Sequence, residues 1–226
     1  MPTRESAIVL LSGGLDSATC LYWARSKGWR VTALNVHYGQ RHARETRSAR
    51  ALARRAGAKL VELRLKLPWL AASSLVDPKK RLPDLPVAKI GLGGIPSTYV
   101  PGRNTILLAL AVSLAETEGA RRVVIGSNHI DYSGYPDCRP EFNRAFERVA
   151  AIGTKAGAER RAAKIEAPLI RLDKRQIVRL ASRLGVPIER TWSCYRGGRR
   201  PCGACDSCKL RAKGFAEAGV VDAALS

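Results

Sequence analysis

The chain has 226 residues, of which 39 are Lys or Arg and 19 are Asp or Glu, for a formal charge of +20. That length suits one domain, or one domain with a small appendage, burying roughly 70% of its unfolded surface. The only apolar stretch near the N-terminus, Ala7-Ile8-Val9-Leu10-Leu11, is too short for a signal-peptide core or a membrane span, so the expected location is cytoplasmic.

Apolar runs of strand length alternate with segments of helical period, which predicts parallel βα units and a doubly wound, mainly parallel α/β sheet. The first strand, 7–11, runs into Ser12-Gly13-Gly14-Leu15-Asp16-Ser17 and then into the helix-like Ala18-Thr19-Cys20-Leu21-Tyr22-Trp23-Ala24. Two glycines let the backbone turn sharply and present bare N–H groups, and the free N–H groups of a new helix carry partial positive charge. Strand, glycine turn and helix start therefore build an anion site, with phosphate the expected guest. The plain alternative is a tight turn with Ser17 as a helix cap. The turn is not the GxxxxGK[ST] loop, because no lysine follows and an aspartate sits inside it. It resembles the SGGxDS pyrophosphate loop of the PP-loop ATP pyrophosphatases. Those enzymes transfer AMP to a carbonyl oxygen and release pyrophosphate, which makes that oxygen a leaving group for a nitrogen or sulfur nucleophile.

Further along, strands are predicted over 31–36, 59–63, 123–126 and 164–167. A helix over 41–56 places Ala43, Ala49, Leu52, Ala53 and Ala56 near one face and arginines on the other. Residues 76–95 are rich in Pro, Gly and Lys and lack periodicity, which predicts a long mobile loop of the kind that covers active sites. The helix over 102–118 is apolar nearly all round and is expected to be buried, and Pro140 opens another where its missing N–H costs nothing.

Beyond Gly185 the composition shifts, dividing the chain into residues 1–185 and a region 186–226 that ends in a helix. Cys194, Cys202, Cys205 and Cys208 lie there with the spacing C-x7-C-x2-C-x2-C, among Gly197, Gly198 and Gly203. Four thiolates in one turn-rich loop suit structural Zn²⁺. Disulfides are the plain alternative, disfavoured where thiols stay reduced, and an iron–sulfur cluster is the stronger rival. Cys20 reads as a small buried hydrophobe.

Tyr38-Gly39-Gln40-Arg41-His42, Val100-Pro101-Gly102-Arg103-Asn104, Ser133-Gly134-Tyr135-Pro136-Asp137-Cys138-Arg139 and the cysteine cluster follow the glycine loop in the order and spacing of the 7-cyano-7-deazaguanine synthases. The chain is identified as resembling that family from its first strand to Arg211. The resemblance implies an adenine nucleotide α-hydrolase-like fold and an ATP-dependent ligase that converts 7-carboxy-7-deazaguanine and ammonia into 7-cyano-7-deazaguanine. It also implies Mg²⁺ with the nucleotide, a bound structural zinc, a homodimer, and a place in queuosine or archaeosine biosynthesis. Residues 126–132 depart from the GxCETDF form of many bacterial members, which leaves Asn128 and His129 without a role.

On this reading Leu11, Ser12, Gly13, Gly14, Leu15, Asp16, Ser17, Ala18, Thr19 and Gly126 form the nucleotide site. Asp16 orients Mg²⁺, and Lys174 neutralises the departing pyrophosphate. An ordinary solvated lysine at a helix start is the plain alternative for Lys174. Arg103 and Arg139 suit a carboxylate or the α-phosphate, since the guanidinium fork binds either in a bidentate way. Asp137 is expected to read the guanine-like N–H edge and Tyr135 to stack on the ring, with Tyr38, Gln40, Arg41, His42 and Asn104 completing the substrate site. His42 could move protons near neutral pH, although a lone histidine at a helix start is more often structural.

The charge of +20 would attract ATP, but also any polyanion. The basic residues are dispersed and aromatic residues are few, so a dedicated nucleic-acid surface is not expected. The plain alternative for the charge is an arginine-rich host composition with a warm habitat, since Asn, Gln and Met are few, a depletion seen in thermophile proteins. Two other functions stay open: a related PP-loop enzyme amidating a deazaguanine nitrile within tRNA, and a non-enzymatic zinc-bearing RNA binder.

Overall fold

Residues 5–129 and 134–225 are described in a computed structural model. Five strands, β1 (Ser6–Leu10), β2 (Arg30–His37), β3 (Lys59–Arg64), β4 (Arg122–Val124) and β5 (Lys164–Glu166), form one sheet in the order β3-β2-β1-β4-β5. Every pairing is parallel. Alternation along β1 divides the core. Ala7 and Val9 face helices α1 (Leu15–Ser26), α2 (Arg44–Arg55), α6 (Lys174–Arg183) and α7 (Asp206–Ala218), while Ile8 and Leu10 face α3 (Arg103–Glu118) and α4 (Pro140–Gly153). A short helix α5 (Lys155–Ala158) follows α4. Ile8, Leu34 and Leu108 are fully buried, so truncating any of them to Ala costs about 2–5 kcal/mol.

The predicted strands are all present, with ends displaced by a residue or two. The fourth stops at Val124, two residues short of Gly126, because the chain there leaves the sheet to pass over the start of α1. Helix α2 begins at Arg44 rather than Arg41, since the Arg41 N–H donates to Leu75 O and ties residues 41–43 to the loop beyond β3. Helix α3 is not buried all round. Thr105, Ala109 and Ser113 face outward, because a helix flanking a sheet has only one covered side. The 76–95 loop is irregular, as predicted, apart from a single 3₁₀ turn at Val87–Lys89. It is anchored to α7, where Leu85 N donates to Asp206 Oδ1 at 3.0 Å and Asp84 pairs with Lys209.

The region after Gly185 shares the main core. Val186, Ile188 and Phe215 pack with Ile177, Val178 and Ala181. A buried pair, Arg211 to Asp222 at 2.6 Å and 2.8 Å, fastens the tail, and Arg211 also donates to Ser193 Oγ at 3.1 Å. The sheet order reverses direction on either side of β1, and in open parallel sheets the crevice at such a switch point, beyond the carboxyl ends of the strands, is where ligands bind.

Candidate active site

At that point β1 ends and Gly13 takes φ +102°. A Cβ at Gly13 would stand 2.2 Å from the Glu45 carbonyl oxygen, so only glycine lets the turn pass under α2. Ser17 Oγ lies 3.2 Å from Ser12 N and 3.3 Å from Gly13 N, which shows that the N–H groups of the turn converge on one point. Helix α1 starts just beyond, at Leu15, and its N-cap Gly14 offers no side-chain cap. Two further contacts brace the turn. Asn35 Nδ2 donates to Leu11 O at 2.7 Å, and Trp192 N donates to Gly13 O at 2.9 Å. Gly126 crosses the same place, where a Cβ would stand 3.3 Å from Ser17 N. Converging backbone donors with an uncapped helix start make a binding site for a phosphate-sized anion.

Asp16 and Lys174 meet across this turn. Lys174 Nζ is 2.9 Å from Asp16 Oδ1 and 2.7 Å from Oδ2, and Asn128 Nδ2 donates to Oδ2 at 2.8 Å. Lys174 opens α6 behind a capping box formed by Asp173 and Gln176. Its stem lies on Gly214 of α7, where a Cβ would stand 2.4 Å from Lys174 Cγ.

A cleft of about 280 Å³ extends from the turn toward the starts of α2 and α3. Arg103, at the start of α3, hydrogen-bonds Tyr38, at the end of β2. Burial works against the Arg103 charge, but Tyr38, Cys138 and Tyr135 outweigh it and hold the guanidinium protonated. Burial also pushes the Tyr38 hydroxyl up and the Glu45 carboxyl up to about 7, with Arg103 pulling Glu45 the other way. Burial holds the His42 imidazole below its usual range, and its Nδ1 is buried without a hydrogen-bond partner among the described residues.

Most of the residues singled out from sequence line this cleft: Leu11, Ser12, Gly14, Leu15, Asp16, Ser17 and Gly126 at the anion end, with Lys174, and Tyr38, Gln40, Arg41, His42, Arg103, Asn104 and Tyr135 beyond. Four others do not. Ala18 and Thr19 are fully buried within α1, and Thr19 Oγ1 donates to Leu15 O at 2.8 Å. The Asp137 carboxylate accepts from Asn104 N at 2.9 Å, which makes it the cap of α3 rather than a group facing the cleft. Arg139 is exposed at the N-cap of α4. Gly13 borders the anion end through its backbone. Asn104 Nδ2 donates to Asp137 O at 2.9 Å and Cys138 Sγ at 3.1 Å, so the motifs around Asn104 and Asp137 interlock. Ser133 and residues 130–132 lie outside the described residues.

Glu45, Asn128, Trp192 and Tyr195 went unassigned in the sequence. Glu45, Trp192 and Tyr195 line the cleft, and Asn128 holds Asp16. For Glu45 the available signal was an acid in the first turn of a helix whose polar positions are otherwise mostly arginine.

The four cysteine sulfurs lie within 4.8 Å of one another, and Cys202 Sγ is 3.9 Å from Cys208 Sγ. Zn–S bonds of about 2.3 Å set a tetrahedral sulfur–sulfur edge of about 3.8 Å, so the cluster fits one such ion. Cys205 and Cys208 donate to Cys194, as do the backbone N–H groups of Cys202 and Arg196 at 3.4 Å, and together they favour its thiolate. Oriented N–H groups of this kind are the usual second layer around a metal thiolate. The loop wraps His42, since a Cβ at Gly197 would stand 2.2 Å from His42 Cγ.

Parallel sheet, glycine turn and the lysine-braced aspartate define the class, a PP-loop nucleotide-binding enzyme. The model of queuosine biosynthesis protein QueC matches residues 6–219, and the chain belongs to that family. A 7-cyano-7-deazaguanine synthase from Anaeromyxobacter sp. (strain Fw109-5) is 54% identical over 99% of this chain and 97% of its own length. Another, from Synechococcus sp. (strain CC9902), is 48% identical over 97% and 96%, and one from Thermoplasma acidophilum is 48% identical over 97% and 91%. Among solved structures, NMN synthetase from Francisella tularensis superposes with a TM-score of 0.52 at 13% identity, covering 97% of this chain and 89% of that one, which shows a common fold. No helix among the described residues is long and apolar enough to cross a membrane.

Proposed function

We propose that this enzyme converts 7-carboxy-7-deazaguanine and ammonia into 7-cyano-7-deazaguanine, using two ATP and releasing two AMP and two pyrophosphate. The observation that carries this reading is a single cleft with converging backbone donors at one end and the half-buried, permanently charged Arg103 at the other. One end suits pyrophosphate and the other a carboxylate.

A carboxylate is a poor electrophile. Its oxygen attacks the α-phosphorus, the bond to the β-phosphate breaks, and pyrophosphate leaves into the glycine turn. Ammonia then attacks the acyl adenylate, and AMP leaves with the old carboxylate oxygen. The resulting amide oxygen is adenylated by a second ATP, and loss of that AMP leaves the nitrile. Lys174 and the N–H groups of the turn supply positive charge where the pyrophosphate develops it. Mg²⁺ would travel with the nucleotide, and Asp16 would hold it there and help neutralise the phosphate charge. Tyr135, whose Oη is 2.7 Å from Thr98 Oγ1, offers its ring to the heterocycle.

Zn²⁺ at the four cysteines is structural, since four protein ligands leave no open position. The same reading places the enzyme as a homodimer in the reducing cytoplasm, with residues 1–185 as the catalytic domain and 186–226 as its zinc-bearing support. Incubation with 7-carboxy-7-deazaguanine, Mg-ATP and ammonium, followed by mass spectrometry, should yield the nitrile and two AMP per nitrile. Release of ADP would overturn the reading.

A further inference from the structure

Nitrile formation removes all three hydrogens of ammonia as protons, one as the amide forms and two as the nitrile forms. Some group in the cleft must accept them while the arginine and the backbone donors attend to oxygen. Among the described residues two carboxylates line the cleft, Asp16 and Glu45. Both Asp16 oxygens are occupied by Lys174, and one of them also by Asn128. Glu45 has no hydrogen-bond or ion-pair partner among the described residues. Its position is fixed by the first turn of α2, whose backbone rests on the anion turn at Gly13, and its charge is felt at both Arg103 and Tyr38. It therefore stands between the phosphate end of the cleft and the arginine end, where the carbon joined to both the adenylate and the nitrogen has to lie.

We propose that Glu45 is the general base of this enzyme, a catalytic residue whose carboxylate takes the proton that nitrogen sheds as ammonia displaces the first AMP and the protons it sheds as the second AMP leaves. The proposal rests on the nitrile-synthase reading. In the first step the nitrogen lone pair forms the C–N bond, the C–O bond to AMP breaks with its electron pair, and one N–H proton passes to Glu45. In the second the N–H electrons become the remaining C–N bonds as the C–O bond of the adenylated amide breaks. Each proton goes on to solvent before the next arrives.

The ionisable groups around Glu45 suit this role. Arg103 faces it from α3 and Tyr38 from just beyond β2, Arg41 and His42 line the cleft from the turn before its helix, and Asp16 and Lys174 line it from α1 and α6. Burial raises the Glu45 carboxyl to about 7, which matches a base that must both gain and release protons near neutral pH. His42 is less suited, being enclosed by the cysteine loop at Gly197 and hydrogen-bonded to the Cys194 backbone.

Adenylation of the acid moves no N–H proton, so it separates this role from binding. In Glu45→Gln, exchange of labelled pyrophosphate into ATP, driven by 7-carboxy-7-deazaguanine without ammonium, should proceed within about threefold of the unaltered enzyme. Nitrile formation should fall by about 100-fold or more. At constant free ammonia, the rise in wild-type rate with an apparent pKa near 7 should vanish. Glu45→Ala should regain turnover with added formate, which a merely structural role would not allow. If Glu45→Gln makes nitrile at the wild-type rate, or loses exchange and nitrile formation equally, the proposal is overturned while the reading of the reaction stands. If the unaltered enzyme itself shows no exchange with this acid, the reading falls and the proposal with it.

Discussion

Lys174 grips Asp16 through both carboxylate oxygens, at 2.9 Å and 2.7 Å, across 158 residues of sequence. The pair joins the first helix of the sheet to the helix that packs against the cysteine-bearing tail. Each side chain keeps about a fifth of its surface exposed, so a nucleotide can reach both. A lysine that bridges a carboxylate before ATP binds is poised to exchange it for phosphate. Lys174→Ala should lower AMP release by about 10²–10³-fold, the usual loss when one preorganised charge facing a developing anion is removed. Single-turnover AMP formation checks it, and a variant within a few-fold of wild type would make Lys174 a structural brace.

Gly214 lies beneath the Lys174 stem. A Cβ there would stand 2.4 Å from Lys174 Cγ and 3.0 Å from Cβ, and the α6 backbone begins 3.3 Å away. Gly214→Ala should therefore shift Lys174 and reduce turnover, at a stability cost of about 1–3 kcal/mol for overpacking. Comparing urea midpoints with AMP release separates the two effects. Ala tolerated in both would mean that α7 moves aside freely.

Removing metal should reach the active site. The segment carrying Cys194 also carries Trp192, whose N–H holds Gly13 O at 2.9 Å, and the cysteine loop packs over His42. Cys205→Ser, or prolonged chelation, should release about one zinc per chain, lower the melting temperature and reduce turnover together. Elemental analysis of the purified protein finding iron instead would assign the cluster to a different metal.

Glu45 also sets a pH dependence of stability. Its carboxyl titrates near 4.5 in an unfolded chain and is pushed up to about 7 by burial. A carboxyl raised in the folded state favours the neutral form, so its contribution is complete below pH 4.5, declines as pH rises through 7, and is gone above. Glu45→Gln should flatten that decline and be more stable than wild type at pH 8, by at most about 3 kcal/mol. Equal stability of the two proteins from pH 5 to 8 would show that the carboxyl is well solvated.

Much of this was legible in the sequence for physical reasons. Parallel strands buried on both faces read as apolar runs, and the glycine turn announces itself because no other residue can take φ +102° under a helix backbone. The four cysteines are close in sequence as well as in space. What could not be read depends on contacts between distant segments. Asp137 and Asn104, both expected to face substrate, are 33 residues apart and bond each other. Arg139 shares a motif with Tyr135, yet it points outward because a 3₁₀ turn at Pro136–Cys138 separates them. Glu45 is marked locally only as an acid in the first turn of an arginine-rich helix, and its place beside Arg103 and Tyr38 depends on segments distant in sequence.

The charge of +20 yields the last prediction. If the basic residues serve only solubility and the attraction of ATP, turnover on the free base needs no tRNA, and tRNA binding should fade steeply as salt rises, because release of condensed counterions drives nonspecific attachment. The basic residues are dispersed along the chain rather than gathered into one patch. Filter binding at physiological salt should therefore show no preference for tRNA carrying the deazaguanine nitrile over unmodified tRNA. A clear preference, with a new amidine appearing on the modified tRNA in the presence of ATP and ammonium, would make the nucleic acid the substrate and give the basic surface a specific purpose.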